Sequence, residues 1–569
     1  MAEPISFDIK PCSAALTQSH FIIDDQPPIC SATMAGLFVR TCKKYGNKDA
    51  LVFRHPDSDR LSVTFTELLN GAEAVADVLM ASGVEVGDTV GIIGPNCPEW
   101  VMAEYGVCLT GGVGVRLFSA SKSVDDLRFV TSKADCKGIL FHPGRDGEFQ
   151  ELIESFLSGV NALDFVFSLT DLNRKFKCLD VMHLALTDSE SYQKKKLEER
   201  LKKIAATDIV SIYLTSGSTG FPKLVALNSV NILNQCPGQL ARYGLKGDDI
   251  LLTDRPFSHV GSFSHFTVCP GLTRIIIDPN VSMNPNNAEY VFRVIEEEKP
   301  TSALLFLYLL HKYLEIKETA KYNLKTLKLI MTGGQPTPRD VIDRVLQYVP
   351  VQHLYGSTEL SGGAIIASLP TDDLDVQRNN TGYPMPLTEM KIVDEAGEVC
   401  PTGDHGELYV KTPLALVCYW KDEEKTNSVK TKDGWYKTGD VAIMNEHGYV
   451  KILGRKDDAI QRAAIKIFPA VVEKHLLQLE EIDKAVVVGV PDEAYGEELC
   501  ACIIPKQVSP QQTLDEIKQL KRKVRECSAG YLYDVNYVLV WDSLPLNANQ
   551  KLDRKRVKEM AAEQVHLGI

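Results

Sequence analysis

The chain has 569 residues, too many for one hydrophobic core and enough for several units of roughly 100 to 200 residues each. Hydrophobic content of 44% and charged content of 24%, with no apolar run of about 18 residues, are those of a multidomain globular enzyme and exclude a membrane-spanning class. The 62 basic residues against 75 acidic ones give a net charge of −13, which excludes nucleic acid as a bulk electrostatic partner; small anionic ligands stay open, because charges are screened beyond about 8 Å.

From about residue 48 onward, short apolar runs alternate with amphipathic stretches of helical length, the pattern of α/β layers. Thr64 to Ser82 reads as a helix, followed by strands at Thr89 to Ile93, Gly138 to Phe141 and Phe165 to Ser168. Ile209 to Leu214 is the next strand, and further ones are expected at Ile250 to Thr253, Ser302 to Phe306 and Leu327 to Thr332, with a helix over Ala288 to Glu298. Beyond residue 380 the texture turns β-rich, with strands at Glu389 to Val393, Gly406 to Val410 and Tyr449 to Leu453. A small unit follows: helix Pro469 to Glu480, strands Lys484 to Gly489 and Leu499 to Ile504, and helix Thr513 to Arg525. The expected architecture is therefore a large N-terminal α/β domain of stacked layers over residues 1–454, including a β-rich subdomain at about 380–454. A charged linker at 455–458 and a small, mobile α+β C-terminal domain over 459–569 complete it.

Fourteen cysteines between Cys12 and Cys527 include no CxxC pair and no histidine cluster at metal-ligand spacing, so neither zinc nor a disulfide framework is expected, and a reducing compartment fits. No mitochondrial, secretory or peroxisomal signal stands at either end, which leaves the cytoplasm by exclusion.

The segment from Thr215 to Leu224 has the chemistry of a phosphate cradle. Gly217 and Gly220 allow a tight turn with inward N–H groups, Thr215, Ser216, Ser218 and Thr219 add short donors, and Lys223 brings one positive charge. It is not the common nucleotide loop, which needs Gly-Lys followed by Ser or Thr; here Pro222 precedes the lysine and Leu224 follows it.

Four further segments accompany it: Tyr355 to Glu359, Gly434 to Asp440, Gly454 to Asp458 and Pro545 to Lys551. In this order, over residues 40–560, the chain resembles the adenylate-forming superfamily of acyl-CoA synthetases, peptide-synthetase adenylation domains and beetle luciferases, most of all the medium-chain fatty acyl-CoA synthetases. The resemblance implies a two-step reaction, in which a carboxylate attacks the α-phosphorus of ATP to give acyl-adenylate and pyrophosphate, and the thiol of coenzyme A then takes the acyl group.

Residue by residue, the resemblance implies that Thr215, Ser216, Gly217, Ser218, Thr219, Gly220 and Lys223 hold the β- and γ-phosphates. Glu359 would bind magnesium that arrives with ATP, with Thr219 beside it, and Thr358 a phosphate oxygen; Tyr355 would stack on adenine with Gly356 next to it. Asp440 would take the ribose hydroxyls, Arg455 would lie near ribose and phosphate, and Lys551 would reach the carboxylate and α-phosphate. Asp457 would be the hinge of a rotating C-terminal domain, His259 a gate to an acyl pocket that includes Gly333 and Gly334, and Ala464 and Lys466 would line the coenzyme A tunnel.

Departures from the family pattern are Leu224, Ala464, Val471 and Gln550, where glycine, glycine, glutamate and glycine are usual. No catalytic charge is lost through them. The leading expectation is an ATP-dependent acid:thiol ligase with a carboxylic acid, ATP and coenzyme A as its substrates; the alternatives are an adenylating enzyme with another acceptor and a catalytically weak acyl- or nucleotide-binding paralogue.

Overall fold

The computed structural model describes residues 15–23, 26–117, 124–145, 147–158, 163–170, 176–186, 194–215, 222–262, 268, 270–282, 284–305, 307–315, 322–333, 339–362, 365–367, 382–462, 465–492, 496–506, 514–528, 535–547 and 552–566. By packing, the chain falls into two compact units. The larger spans Phe21–Met390 and Val410–Tyr436; the smaller spans Lys391–Tyr409 and Lys437–Ile569, with Ala14–His20.

Two sheets form the larger unit. The first runs in the order Cys418–Tyr419, Lys223–Asn228, Ile209–Thr215, Val113–Arg116, Thr89–Ile93, Gly138–Phe141, Phe165–Ser168, Lys177–Cys178. From Ile209–Thr215 onward its pairings are parallel. The second runs Tyr383–Pro384, Ile366–Ala367, Val351–Tyr355, Leu329–Gly333, Ser302–Leu304, Ile250–Thr253, Thr273–Ile277, Asp49–His55, Ser58–Thr64, and is parallel from Val351–Tyr355 to Asp49–His55. Parallel strands covered on both faces are mostly apolar, and all of Thr89–Ile93 and Thr273–Ile277 is buried, Arg274 included.

The helix over Phe65–Ala81 shows why these segments take their form. Thr64 Oγ1 accepts the Glu67 N–H at 3.2 Å while Glu67 Oε2 accepts the Thr64 N–H at 2.7 Å, a reciprocal cap that starts the helix where the sequence places it. Leu68, Leu69, Ala72, Val75, Ala76 and Leu79 recur at helical spacing and face the core.

Most expected elements are present with small shifts at their ends: the strand expected to Phe306 is Ser302–Leu304, and the helix expected to Glu480 is Pro469–Leu476. Lys223–Asn228 is a strand that the sequence reading left out. It pairs antiparallel with Ile209–Thr215, Lys223 opposite Thr215, so the phosphate-cradle segment joins two strands of a hairpin. Leu224 then lies 1% exposed in the core of the first sheet, a packing reason for an apolar residue there.

The smaller unit holds a sheet ordered Ile465–Ile467, Ile460–Arg462, Gly496–Pro505, Ile482–Asp492, with Tyr537–Val540 alongside Gly496–Pro505. The charged stretch 455–458 expected as a linker lies within this unit, as the 3₁₀ turn Lys456–Asp458 that follows strand Val450–Arg455. Strand Val450–Arg455 pairs with Tyr436–Met444, and Val441 and Leu453 share an apolar cluster with Phe468, against which Ala459 and Val471 pack. Val471 therefore fills this cluster as an apolar residue. Among the described residues no helix is long and apolar enough to cross a membrane.

Candidate functional site

Parallel strands deliver side chains at their carboxyl ends, the usual place for a ligand in such sheets. In the larger unit Thr215, Gly333 and Tyr355 each close a strand, and the turn Pro256 to Ser262 follows the strand Ile250–Thr253. The short 3₁₀ turn Thr358–Leu360 carries Glu359 and packs against Ile209–Thr215, which brings the carboxylate to the root of the phosphate-cradle segment.

Tyr419 completes this cluster. Its hydroxyl donates to Glu359 Oε1 at 2.8 Å, and Lys223 Nζ lies 5.9 Å from the centre of its ring. The Leu416 N–H also bonds the Glu359 carbonyl at 2.7 Å, so the turn is pinned by backbone as well as side chain. Nothing in the local sequence marks Tyr419: it reaches the site only because Val225 pairs with it across the sheet edge. Two hydroxyl oxygens at this place, Thr215 Oγ1 and Ser357 Oγ, are buried with no hydrogen-bond partner among the described residues. Buried polar groups are seldom left so, and oriented donors with no protein acceptor are what an anionic oxygen would satisfy.

His259 sits half-buried in a self-contained turn. Its N–H donates to Pro256 O at 2.9 Å, Ser262 N–H donates to its carbonyl at 3.0 Å, and Gly261 N–H donates to its Nδ1 at 3.0 Å. With Nδ1 accepting, the neutral imidazole carries its proton on Nε2. The turn packs closely on the one that bears Glu359: a Cβ on Gly362, whose φ is +67°, would lie 2.5 Å from Val260 Cγ1. At Gly333 a Cβ would come within 2.3 Å of the Leu354 carbonyl oxygen, so close strand packing alone requires glycine there.

In the smaller unit Asp440 and Arg455 face one another across paired strands. The Asp440 carboxylate is 3.2 Å from Arg455 Nε, and Asp440 is 6% exposed whereas the arginine side chain is 56% exposed. Arg455 also donates to Thr438 O at 3.0 Å, and Thr438 Oγ1 takes the Asp440 N–H at 3.0 Å. Asp457 lies exposed in the 3₁₀ turn Lys456–Asp458, where Lys456 Nζ pairs with Glu407 at 2.7 Å. Arg554 grips Glu473 with one nitrogen 2.7 and 2.9 Å from its carboxylate oxygens, donates to Val487 O at 3.1 Å, and lies 3.7 Å from Asp458.

Ser216, Gly217, Ser218, Thr219, Gly220, Gly334, Ala464, Gln550 and Lys551 lie outside the described residues, as does the side chain of Lys466. Lys466 itself stands in the strand Ile465–Ile467, opposite Gln461.

The fold also gathers Cys97, Glu99 and His142, whose ligand atoms lie within 4.8 Å of one another. The Gly144 N–H donates to His142 Nδ1 at 3.1 Å, which puts the ring proton on Nε2 and leaves that nitrogen no lone pair for a metal. Burial pushes the Cys97 thiol and the Glu99 carboxyl up and the imidazole down to about 4, in each case against the charged form.

Residues 38–420 match the family model of AMP-binding enzymes, and residues 471–551 match that of the AMP-binding enzyme C-terminal domain. The mitochondrial medium-chain acyl-CoA ligase ACSF2 of Danio rerio is 29% identical, over 99% of this chain and 94% of its own length. The Homo sapiens protein of the same name is 27% identical over 94% and 89%, and the acyl-CoA ligase sidI of Aspergillus fumigatus 27% over 93% and 91%. Among solved structures, the anthranilate CoA ligase AuaEII in complex with anthranoyl-AMP has a TM-score of 0.79 at 22% identity, over 95% of this chain and 99% of that one. ATP-bound MatB from Rhodopseudomonas palustris has a TM-score of 0.78 at 24% identity, over 93% and 99%. These two likenesses concern the fold.

Proposed function

The chain belongs to the family of AMP-binding enzymes, and from that premise we propose that it is an ATP-dependent acid:thiol ligase. A carboxylate oxygen attacks the α-phosphorus of ATP, pyrophosphate leaves, and the acyl-adenylate then passes its acyl group to the thiol of coenzyme A with release of AMP. The acid we propose is a medium-chain fatty acid, in line with the relatives named above.

The observation that carries this reading is the meeting of Lys223, Tyr419 and Glu359 beside the two buried, unpartnered hydroxyl oxygens of Thr215 and Ser357. Pyrophosphate departs as a polyanion, so donors and one cation fixed in advance stabilise the charge that develops as it leaves. Lys223 would neutralise the leaving phosphates, and Thr215 would donate to one of their oxygens. Glu359 with its hydroxyl neighbours offers the all-oxygen donor set that suits Mg²⁺, which supplies charge neutralisation on phosphate oxygens when bound with ATP. Tyr419 would hold the carboxylate in one orientation for that purpose.

Asp440 would accept both ribose hydroxyls, with Arg455 holding it in place at 3.2 Å. Lys551 would oppose the repulsion between the incoming carboxylate and the α-phosphate, and rotation about Asp457 would clear its place for the thiol. Retention of Lys223, Glu359, Asp440, Arg455 and Lys551 favours an active enzyme over a ligand-binding paralogue.

The test is product analysis with the purified chain, ATP, Mg²⁺ and fatty acids of graded length. Acid-dependent AMP and pyrophosphate, with an acyl-CoA thioester once coenzyme A is added, are expected. Pyrophosphate without thioester would leave only an adenylating enzyme with another acceptor.

A further inference from the structure

The turn that carries His259 is held at its two ends by arginines that scarcely meet solvent. Arg116, 2% exposed at the end of strand Val113–Arg116, donates from one terminal nitrogen to Phe257 O at 2.7 Å and from Nε to Ser211 Oγ at 3.1 Å, while its other terminal nitrogen pairs with Glu104. Arg274, 0% exposed in strand Thr273–Ile277, donates to Ser262 O at 2.5 Å. Both also bear on the aromatic packing at the root of the turn: Arg274 lies 5.8 Å from the Phe257 ring and Arg116 lies 5.3 Å from the Trp100 ring, which is itself 5.3 Å from that of Phe257.

A core that needed only to be filled would use apolar side chains, since a buried guanidinium must replace its hydration with fixed acceptors. Here the acceptors are the carbonyls of Phe257 and Ser262, which bracket His259. Because the turn is closed by its own hydrogen bonds, it shifts as one piece, and its outer anchors set its position. Asn96 adds a third anchor, its Oδ1 taking the Phe257 N–H at 2.8 Å. Burial first holds Arg274 down to about 10; Tyr105 and the Glu104 carboxylate act against this, and the Arg116 charge adds to it. An arrangement so costly in a fold where methionine or leucine would fit is explained by the position it imposes.

We propose that Arg116 and Arg274 are positioning residues for the His259 turn and thereby set which acids the site accepts. They touch the turn's backbone and not the reacting atoms. This inference rests on the reading of His259 as the gate of the acyl pocket in an acid-activating enzyme. Displacing the turn narrows or widens the entry for the acyl chain; Val260 also packs on Gly362 beside the Glu359 turn, so the effect falls mainly on the acid and only slightly on ATP.

The experiment uses the full chain with ATP and saturated fatty acids of increasing length, read as pyrophosphate release. Arg116→Lys keeps a charge opposite Glu104 and loses the fork that reaches Phe257 O. Arg274→Met removes the guanidinium and keeps the length of the chain. In each variant the KM for the best wild-type acid is expected to rise by about tenfold or more and the preferred chain length to shift, with the KM for ATP within about twofold of wild type. A chain-length profile superimposable on that of wild type, or equal rises in both KM values, overturns the inference. Thermal unfolding checks that each variant is folded; should Arg274→Met not fold, Arg116→Lys decides alone. Wild-type chain that releases no pyrophosphate with any acid sinks the enzymatic reading and this inference together, an outcome distinct from an active enzyme whose variants keep its profile.

Discussion

At the scale of single residues, the Tyr419 hydroxyl decides how Glu359 is presented. At 2.8 Å from Oε1 it engages one of the two carboxylate oxygens. Removing it by Tyr419→Phe deletes a hydrogen bond to a charged group, about 1.5 to 3 kcal/mol, so kcat/KM for ATP should fall about 10- to 100-fold without loss of folded protein. An unchanged value would mean that Glu359 is oriented by its backbone alone. Lys223→Ala should cost more, about 10²- to 10³-fold in the rate of pyrophosphate release, because a fixed charge beside the leaving group acts most in the transition state. Steady-state kinetics on the two variants rank the effects. Lys223 and Glu359 were legible in the sequence because their chemistry lies in contiguous motifs. Tyr419 was not, since a strand pairing with Val225 places it there, and Arg116 was hidden in a strand whose one glycine and terminal arginine break the apolar run that identifies its neighbours.

At the scale of elements, each large sheet carries a histidine near its carboxyl edge: His142, buried just after Gly138–Phe141, and His353, half-buried within Val351–Tyr355. Burial lowers both from 6.5 to about 4, with the Arg145 charge adding to the effect at His142. The unfolded chain therefore takes up these protons before the native one does, so stability is complete above about pH 6.5 and is lost as pH falls toward about 4, by about 3 kcal/mol for each histidine. Thermal midpoints measured across that window should fall steeply, and less so in His142→Gln and His353→Gln; an equal slope in the double variant would contradict the assignment. In the smaller unit, helix Arg554–His566 is tied to helix Pro469–Leu476 by the Arg554 pair with Glu473, whose side chain is 13% exposed. Arg554→Ala leaves that carboxylate buried without its partner and should cost about 3 to 5 kcal/mol in urea unfolding, with Arg554→Lys between it and wild type. Strands such as Thr89–Ile93 and Ile250–Thr253 were legible as short apolar runs. Lys223–Asn228 was missed because a proline and a lysine open it and its register depends on the partner strand.

For the whole molecule, the order of five motifs specified the family and the two-step reaction. A charged stretch at 455–458 looks like a linker, yet the side chains of Val441, Leu453 and Phe468 pack across it, a contact that no local pattern announces. Of the motifs, Tyr355 to Glu359 lies in the larger compact unit, whereas Gly434 to Asp440 passes from the larger unit into the smaller after Tyr436. The departures at Leu224 and Val471 are answered by packing. The central claim is that the chain forms an acyl-adenylate reversibly from ATP and a fatty acid. It is tested most directly by exchange of labelled pyrophosphate into ATP in the absence of coenzyme A. The account predicts exchange that appears only when a fatty acid is present and is lost in Lys551→Ala; absence of exchange with every acid, or formation of ADP and phosphate instead, would contradict it.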